Sequence, residues 1–512
     1  MKKIIMSILM IVLALSATNG MNVIGIGAQS SSLGGTTQIL DNPQILASNP
    51  AIIGFAKSTI ISLDCGLMFP TVNFENSLND KDADSQIFPL PSFSYIHKIE
   101  GSQLGLGFSA FAQGGMGATY ELKHQLFYSI DPATGQVDYN TLLDQDYHSQ
   151  IAYMKFNPAI SWNFTEQFSI GLSPSFGYAM LEMKMPYSID PSKMKGDVPG
   201  TNGSVTFGDM FGNAPDDEVM PGLGYKEVTA IADMEDGVTG FGFGASIGMN
   251  YKVSNKLMFG FTYTSQSDIT FEGDASMDMT QQFNDAFGKM VMGALVQMGI
   301  DPNNATNEEM QMAHQAVMTN LTNMGVDMTK GMVADYDAEV EMAWPQQFDF
   351  SLQYKPMMNT TVFANFKWLD WESAMDKFTM TMTKGSNDNI NLLMGSDEVK
   401  LQMPLEWKSQ FVFGLGVEQK FNEMFSGRVG YNYGNNPIPK ETLIPIFPAI
   451  VEHHITLGAG INITENLGLD FSYEYVIENE EEVNKSDIAT EYNDSESSLG
   501  ENLLFFGLNY KF

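Results

Sequence analysis

The chain has little of what soluble enzymes and nucleic-acid-binding proteins use. It carries one cysteine in 512 residues, Cys65, so no intramolecular disulfide framework exists. Cys65 reads as a small apolar strand residue, and it lies too far from the N-terminus to be a lipoprotein cysteine. There is a single arginine, Arg428, and the 26 basic residues face 61 acidic ones, a formal charge of −35. Nucleic acid is therefore excluded as a partner, because phosphate backbones are held by a basic footprint. No uninterrupted apolar run beyond the N-terminal leader is long enough for a membrane helix. No Gly-x-Ser-x-Gly, His-Glu-x-x-His or phosphate-cradling loop occurs, so no enzyme activity, catalytic residue or cofactor is assigned. His453 and His454 are adjacent and would face opposite sides of a strand, which leaves no metal site to assign.

The two ends of the chain are informative. Lys2 and Lys3 precede an apolar stretch from Ile4 to Leu15, followed by small and polar residues, the layout of a secretory signal peptide. Cleavage fits after Ser16 or after Gly20; the second gives a signal peptide over residues 1–20. At the other end, Leu504, Phe506, Leu508, Tyr510 and Phe512 alternate, which puts them on one face of a strand. An exported chain with a lipid-compatible final strand is expected in the outer membrane of a diderm bacterium. Lipid, lipopolysaccharide and the barrel-assembly machinery are then its partners. A mean hydropathy of −0.11 agrees, because barrel strands alternate lipid-facing with lumen-facing residues. The aromatic content of 12% suits interfacial girdles.

Between the ends, residues 21–56 are rich in Gly, Ser, Asn and Pro and poor in alternation. From about residue 57 the chain becomes fourteen strand candidates, near 57–69, 88–100, 102–122, 148–164, 167–186, 226–253, 256–280, 330–355, 360–382, 398–421, 424–436, 442–463, 466–480 and 501–512. Very short polar connections, such as Thr165-Glu166 and Ser254-Asn255, alternate with longer ones. The fold class expected is an all-β, 14-stranded antiparallel transmembrane barrel over residues 57–512, with tight periplasmic turns and long extracellular loops.

Two insertions stand out. Residues 187–225 read as an irregular loop. Residues 279–328 read as two amphipathic helices, with Phe283, Phe287, Met290 and Leu295 among the apolar positions of the first. Those faces either pack on each other and the barrel rim or line a greasy capture site, for which methionine's flexible thioether is suited. The acidic run Glu478 to Glu482 reads as a solvated extracellular loop.

Gln29 to Gly35, then Ala47-Ser48-Asn49-Pro50-Ala51, then a first strand, resemble the N-terminal hatch of the FadL/TodX family of outer-membrane channels for long-chain fatty acids and other hydrophobic compounds. Asn49, Pro50 and Ala51 match its Asn-Pro-Ala motif. Leu257 to Ser267, Trp407 to Gly416, Arg428 to Tyr431 and Leu469 to Tyr475 continue the resemblance through the mature chain. The resemblance implies a barrel plugged by residues 21–56, an extracellular apolar capture groove, a lumenal pocket, and lateral exit beside a kinked third strand. Gly114 and Gly115 are the kink candidates, since glycines inside a strand mark bends. Hydrophobic small molecules, fatty acids or hydrocarbons, are the partners implied. On strand alternation Lys408, Arg428 and His454 face the lumen, where they meet either a substrate carboxylate or the chain's own acids. A general aqueous porin or a structural barrel is the competing reading.

Overall fold

The structure is a computed structural model, and it describes residues 18–37, 42–130, 137–217 and 221–512. The basic and apolar parts of the leader and the Ser16 cleavage point lie outside the described residues. Twenty strands form one hydrogen-bonded sheet. In chain order they are β1 (Ile60–Glu75), β2 (Asp80–Asp82), β3 (Phe88–Lys98), β4 (Leu104–Ile130), β5 (Val137–Asn163), β6 (Phe168–Ile189) and β7 (Val228–Asp233). Next come β8 (Val238–Lys252), β9 (Leu257–Thr264), β10 (Ser267–Asp278), β11 (Val333–Trp344), β12 (Gln347–Met357), β13 (Thr360–Leu369) and β14 (Lys377–Thr383). The last six are β15 (Val399–Pro404), β16 (Gln410–Lys420), β17 (Phe425–Gly434), β18 (His453–Asn462), β19 (Leu467–Val483) and β20 (Ser495–Lys511).

The expected count of fourteen strands is corrected: the sheet has twenty, of which sixteen are eight residues or longer. The reason is local. Five stretches that alternate continuously in sequence are interrupted in space. A turn at Met234–Gly237, with Gly237 at φ +81°, separates β7 from β8. Pro345, which has no N–H to give a ladder, separates β11 from β12. A short helix at Trp371–Ala374 parts β13 from β14, and Glu406 at φ +50° parts β15 from β16. Ser265 and Gln266 divide β9 from β10. The expected strand at 442–463 begins only at His453, after Pro445 and Pro448.

Every pairing is antiparallel, and the sheet closes on itself. β20 pairs with β1 from Ile60↔Lys511 to Glu75↔Glu496, and β1 pairs in turn with β3. Closure leaves no edge, the condition for a sheet to sit in lipid with its backbone groups paired. β7, β10, β11, β14 and β15 pair among themselves to raise one side of the wall beyond the long-loop end. The two helices of the large insertion, Thr280–Gln297 and Asn307–Asn323, lie on this raised side. The second starts in a capping box, in which the Thr306 hydroxyl accepts the Glu309 N–H while the Glu309 carboxylate accepts the Thr306 N–H and O–H.

The outer face is apolar. Phe411, Phe413, Leu415 and Val417 of β16, and Leu504, Phe506, Leu508 and Tyr510 of β20, are exposed in alternation with buried inward residues. The inner face meets the N-terminal segment, which fills the short-turn half of the barrel. Gly416 and Gly430 face inward where the turn at Leu33 and Gly34 presses on the wall. A Cβ on Gly416 would lie 2.6 Å from the Leu33 carbonyl oxygen, and one on Gly430 would collide with the Gly34 nitrogen. Glycine is required here for backbone approach.

Candidate functional site

The hatch motif lies at the short-turn end. Asn49 caps a 3₁₀ turn at Pro50–Phe55 by accepting the Ala51 N–H at 3.0 Å, and its amide donates to Asn250 at 3.1 Å. The Ala51 carbonyl accepts the Ser169 hydroxyl at 2.9 Å. Further along the hatch, carboxylates from the wall hold it. Asp64 accepts the Ala28 N–H at 2.9 Å and the Gln44 amide at 2.7 Å. Asp349 accepts the Thr37 hydroxyl at 2.8 Å.

Two of the three expected lumenal bases belong to this anchorage. Arg428 is buried and bridges Glu418 at 2.9 Å and Asp470 at 2.6 Å, while Gln29 of the hatch donates to the other Asp470 oxygen at 2.8 Å. His454 is fully buried against Glu474 at 2.9 Å, and Ser31 donates to the same carboxylate at 2.9 Å. The third, Lys408, is exposed in the β15–β16 connection, with its N–H bonded to the Pro437 carbonyl at 2.7 Å. The alternation that suggested otherwise holds from Phe411 onward but not at Trp407, which is buried inside.

Because Arg428 compensates the buried Asp470 carboxylate and the partly buried Glu418, Arg428→Met is expected to cost about 3–5 kcal/mol. The check is the temperature at which the detergent-solubilised barrel shifts to its unfolded gel mobility. An unchanged transition would mean that these acids do not need the arginine.

The wall opens beside β4. The β3–β4 ladder runs from Lys98↔Gly105 to Ser92↔Phe111 and stops there, although β3 continues along β1 to Phe88. β3 reads Phe88-Pro89-Leu90-Pro91 at this point. A proline inside a paired strand must turn its nitrogen to the unpaired side, so Pro89 and Pro91 offer β4 no donor. On β4, the register against β5 skips Gln113, a bulge, and Gly114 sits at φ +155°. The freed backbone is taken by the N-terminal segment: Asn22 bridges Gly114, and the Gln113 side chain donates to Asn22 Oδ1 at 2.7 Å. Gly115 follows in the same stretch, paired with Ala152 of β5. Above the gap the wall closes again, where the Asp84 N–H donates to Thr119 at 2.8 Å and the Lys123 N–H to Asn79 at 2.8 Å.

Aromatic rings face this gap from within. Tyr153, Trp344, Trp371 and Trp407 form a chain of ring contacts with centroid separations of 4.8, 6.1 and 5.3 Å. Trp344 donates to Asn22 Oδ1 at 2.7 Å. Met21 is buried here, against Gly114. Lys155 lies on β5 opposite Phe111, at the lower lip of the gap. It is 5% exposed, its ammonium is 5.3 Å from the Tyr153 ring centre, and among the described residues no carboxylate lies within 4 Å of it. The sequence reading passed over Lys155. Its signal is the alternation of Tyr153, Lys155 and Asn157 with Met154, Phe156 and Pro158.

On the long-loop side, a groove of 370 Å³ lies between the insertion helices and the segment before β11. Phe283, Phe287, His314, Met318 and Met332 line it, and the Phe287 and His314 rings meet edge to face at 5.0 Å. Met290 packs half-buried beside the core, and Leu295 is fully buried beneath the helix.

An apolar outer face, a closed sheet and a lumen filled by the chain's own N-terminal segment define a plugged outer-membrane β-barrel. The chain belongs to the family described as "Outer membrane protein transport protein (OMPP1/FadL/TodX)", which it matches over residues 10–512. It is a transport protein of the bacterial outer membrane, not an enzyme. A Pseudomonas aeruginosa FadL homologue superposes with a TM-score of 0.65 at 15% identity, covering 96% of this chain and 100% of its own. The Pseudomonas putida toluene transporter TodX gives 0.65 at 16%, covering 97% and 100%. The Ralstonia pickettii toluene transporter TbuX gives 0.62 at 16%, covering 96% and 99%. At these identities the likeness establishes the fold. No curated protein sequence matches the chain.

Proposed function

We propose that the protein is a passive channel that takes hydrophobic molecules from the cell exterior and delivers them sideways into the outer membrane. The observation that carries this reading is the pairing of a firmly anchored hatch with a broken β3–β4 ladder. A straight path to the periplasm would have to break buried ion pairs and hydrogen bonds. A path through the wall crosses the stretch where β3 and β4 are not paired, and there it displaces only the contact of Asn22 with Gln113 and Gly114. A hydrophobic molecule also gains about 25 cal/mol per Å² by staying out of water, which release into the bilayer preserves. Cargo lodges first in the groove at Phe283 and Phe287, passes the buried methionines of the raised wall, and leaves by Gly114 and Gly115.

Long-chain fatty acids are the proposed cargo, because Lys155 stands unpaired beside the exit and can meet a carboxylate. Monoaromatic hydrocarbons are the second reading. It is favoured by the toluene transporters among the structural relatives and by the aromatic chain from Tyr153 to Trp407. In the cell, the signal peptide over residues 1–20 directs export, and barrel assembly follows in the outer membrane of a diderm bacterium.

The test combines two measurements on the purified, heat-modifiable barrel. Single-channel recordings should show little ionic conductance, and mass spectrometry of solvent extracts should recover fatty acids or aromatic hydrocarbons. A large, steady conductance would favour an aqueous porin and overturn the reading.

A further inference from the structure

Above the gap in the wall, the extracellular cap is held by a small cluster with no counterpart in the transport path. The short turn Thr490–Tyr492 between β19 and β20 descends among the tops of the strands. The Glu491 carbonyl accepts the Asn76 amide at 3.1 Å, and the neighbouring Asn79 amide donates to the Lys123 carbonyl at 3.0 Å. This turn is thereby tied to the upper lip of the gap. The Glu491 side chain points inward, where Oε2 accepts the Tyr147 hydroxyl of β5 at 2.6 Å and faces His124 Nε2 of β4 at 3.5 Å. Both side chains are buried, at 10% and 5% exposure.

Hydrogen-bond geometry fixes the charge of the histidine. His124 Nδ1 accepts the Leu126 N–H at 3.1 Å, so it carries no proton, and the ring's one proton sits on Nε2. The ring is neutral. The carboxyl has no cation to balance a charge, and its Oε1 is buried without a hydrogen-bond partner. The other ionisable groups around it are Tyr147, Tyr492 and Glu227, none of them cationic at neutral pH. Phe74 packs on the Tyr492 ring at 6.3 Å. An isolated carboxylate in such a place is costly.

We propose that His124 and Glu491 form a clasp that is buried with both partners neutral: as the cap closes, the imidazolium gives up its Nδ1 proton, which frees Nδ1 to accept the Leu126 N–H, and the Glu491 carboxylate gains one proton through water, while Nε2 keeps its own. In the open cap, water solvates an imidazolium and a carboxylate. Between about pH 4.5 and 6.5, where the open cap holds both ions, no net proton enters from or leaves to solvent, so closure is nearly indifferent to pH even though both groups titrate.

The directions of the two shifts agree. Burial pushes Glu491 up to about 7 and His124 down to about 4. Taken alone, the raised Glu491 favours the closed cap at low pH and loses that preference as pH rises from about 4.5 to 7. The depressed His124 favours the closed cap at high pH and loses that preference as pH falls from about 6.5 to 4. Together the two slopes cancel across most of that range. The clasp does not depend on what the channel carries.

The experiment measures local opening by hydrogen exchange of the Asn76 to Asn79 and Thr490 to Tyr492 amides, corrected for intrinsic exchange, from pH 5 to 8. Native protein should vary less than ~10-fold. Glu491→Gln leaves the histidine uncompensated, and its opening should increase roughly 30-fold as pH falls. His124→Asn keeps an acceptor for the Leu126 N–H, and its opening should increase by roughly 30-fold or more as pH rises. Heat-modifiable mobility verifies that each variant assembles. Infrared difference spectra at pH 6 should also show a protonated carboxyl stretch that Glu491→Gln removes. Responses of the same sign in both variants, no pH response in either, a native protein as steep as the variants, or no carboxylic-acid band would each overturn the clasp.

Discussion

Replacing Pro89 and Pro91 together with valine is expected to reduce uptake by about 5- to 150-fold while the barrel assembles normally. The two prolines withhold backbone donors from β4 where the β3–β4 ladder ends. Valine restores two N–H groups and favours the pleated conformation. Each added hydrogen bond contributes about 0.5–1.5 kcal/mol net, so two shift the gap toward a paired wall by about 1–3 kcal/mol. That is about a 5- to 150-fold loss of the open form. The measurement is transfer of a labelled hydrophobic probe into proteoliposomes, with assembly read by heat-modifiable mobility. Unchanged transfer through a properly assembled double variant would mean that cargo leaves elsewhere.

The same opening can be attacked from β4. Gly114→Val with Gly115→Val should also straighten the strand and lower uptake. This pair has a second effect, however, because a Cβ on Gly114 would collide with the Met21 carbonyl. The N-terminal segment would then be pushed from its place along Gln113 and Trp344. Agreement between the proline and glycine variants would identify the gap as the common cause. Loss in the glycine variant alone would point instead to the N-terminal segment.

Local alternation made the barrel legible, and position in space decided what it could not. The final strand and the β16 face could be read because lipid demands an apolar residue at every second position. The strand count could not, since a break at Ser265-Gln266 or a proline at Pro345 leaves the alternation on both sides intact. The glycines of β4 were visible as weak points, whereas Pro89 and Pro91 matter only because β4 lies beside them. Arg428 and His454 were legible as inward-facing charges. Their partners Asp470 and Glu474 lie one or two strands away, so pairing with them could not be told from meeting a substrate. The chain of Tyr153, Trp344, Trp371 and Trp407 joins residues spread over half the sequence, and no periodicity announces it.

Lys155→Met is expected to separate the two cargo classes. The ammonium lies buried at the lower lip of the gap, with the Tyr153 ring as its neighbour and no carboxylate within ion-pair reach among the described residues. Burying an unpaired charge is unfavourable, and methionine matches the length and apolar stem of lysine. The variant barrel should therefore be at least as resistant to thermal unfolding as the native one, which sets Lys155 apart from Arg428. If the charge is kept for a ligand, its loss removes a charge-assisted hydrogen bond of about 1.5–3 kcal/mol. Binding of a long-chain fatty acid should then weaken by about 13- to 150-fold. A neutral ligand of similar apolar area, such as toluene or the methyl ester of the same acid, should bind the variant as well as the native protein. Titration calorimetry with the acid and its ester on both proteins makes the comparison. A selective loss for the free acid supports fatty-acid cargo. Equal affinities for acid and ester in the native protein would remove the carboxylate from the account and leave the aromatic reading in possession of the site.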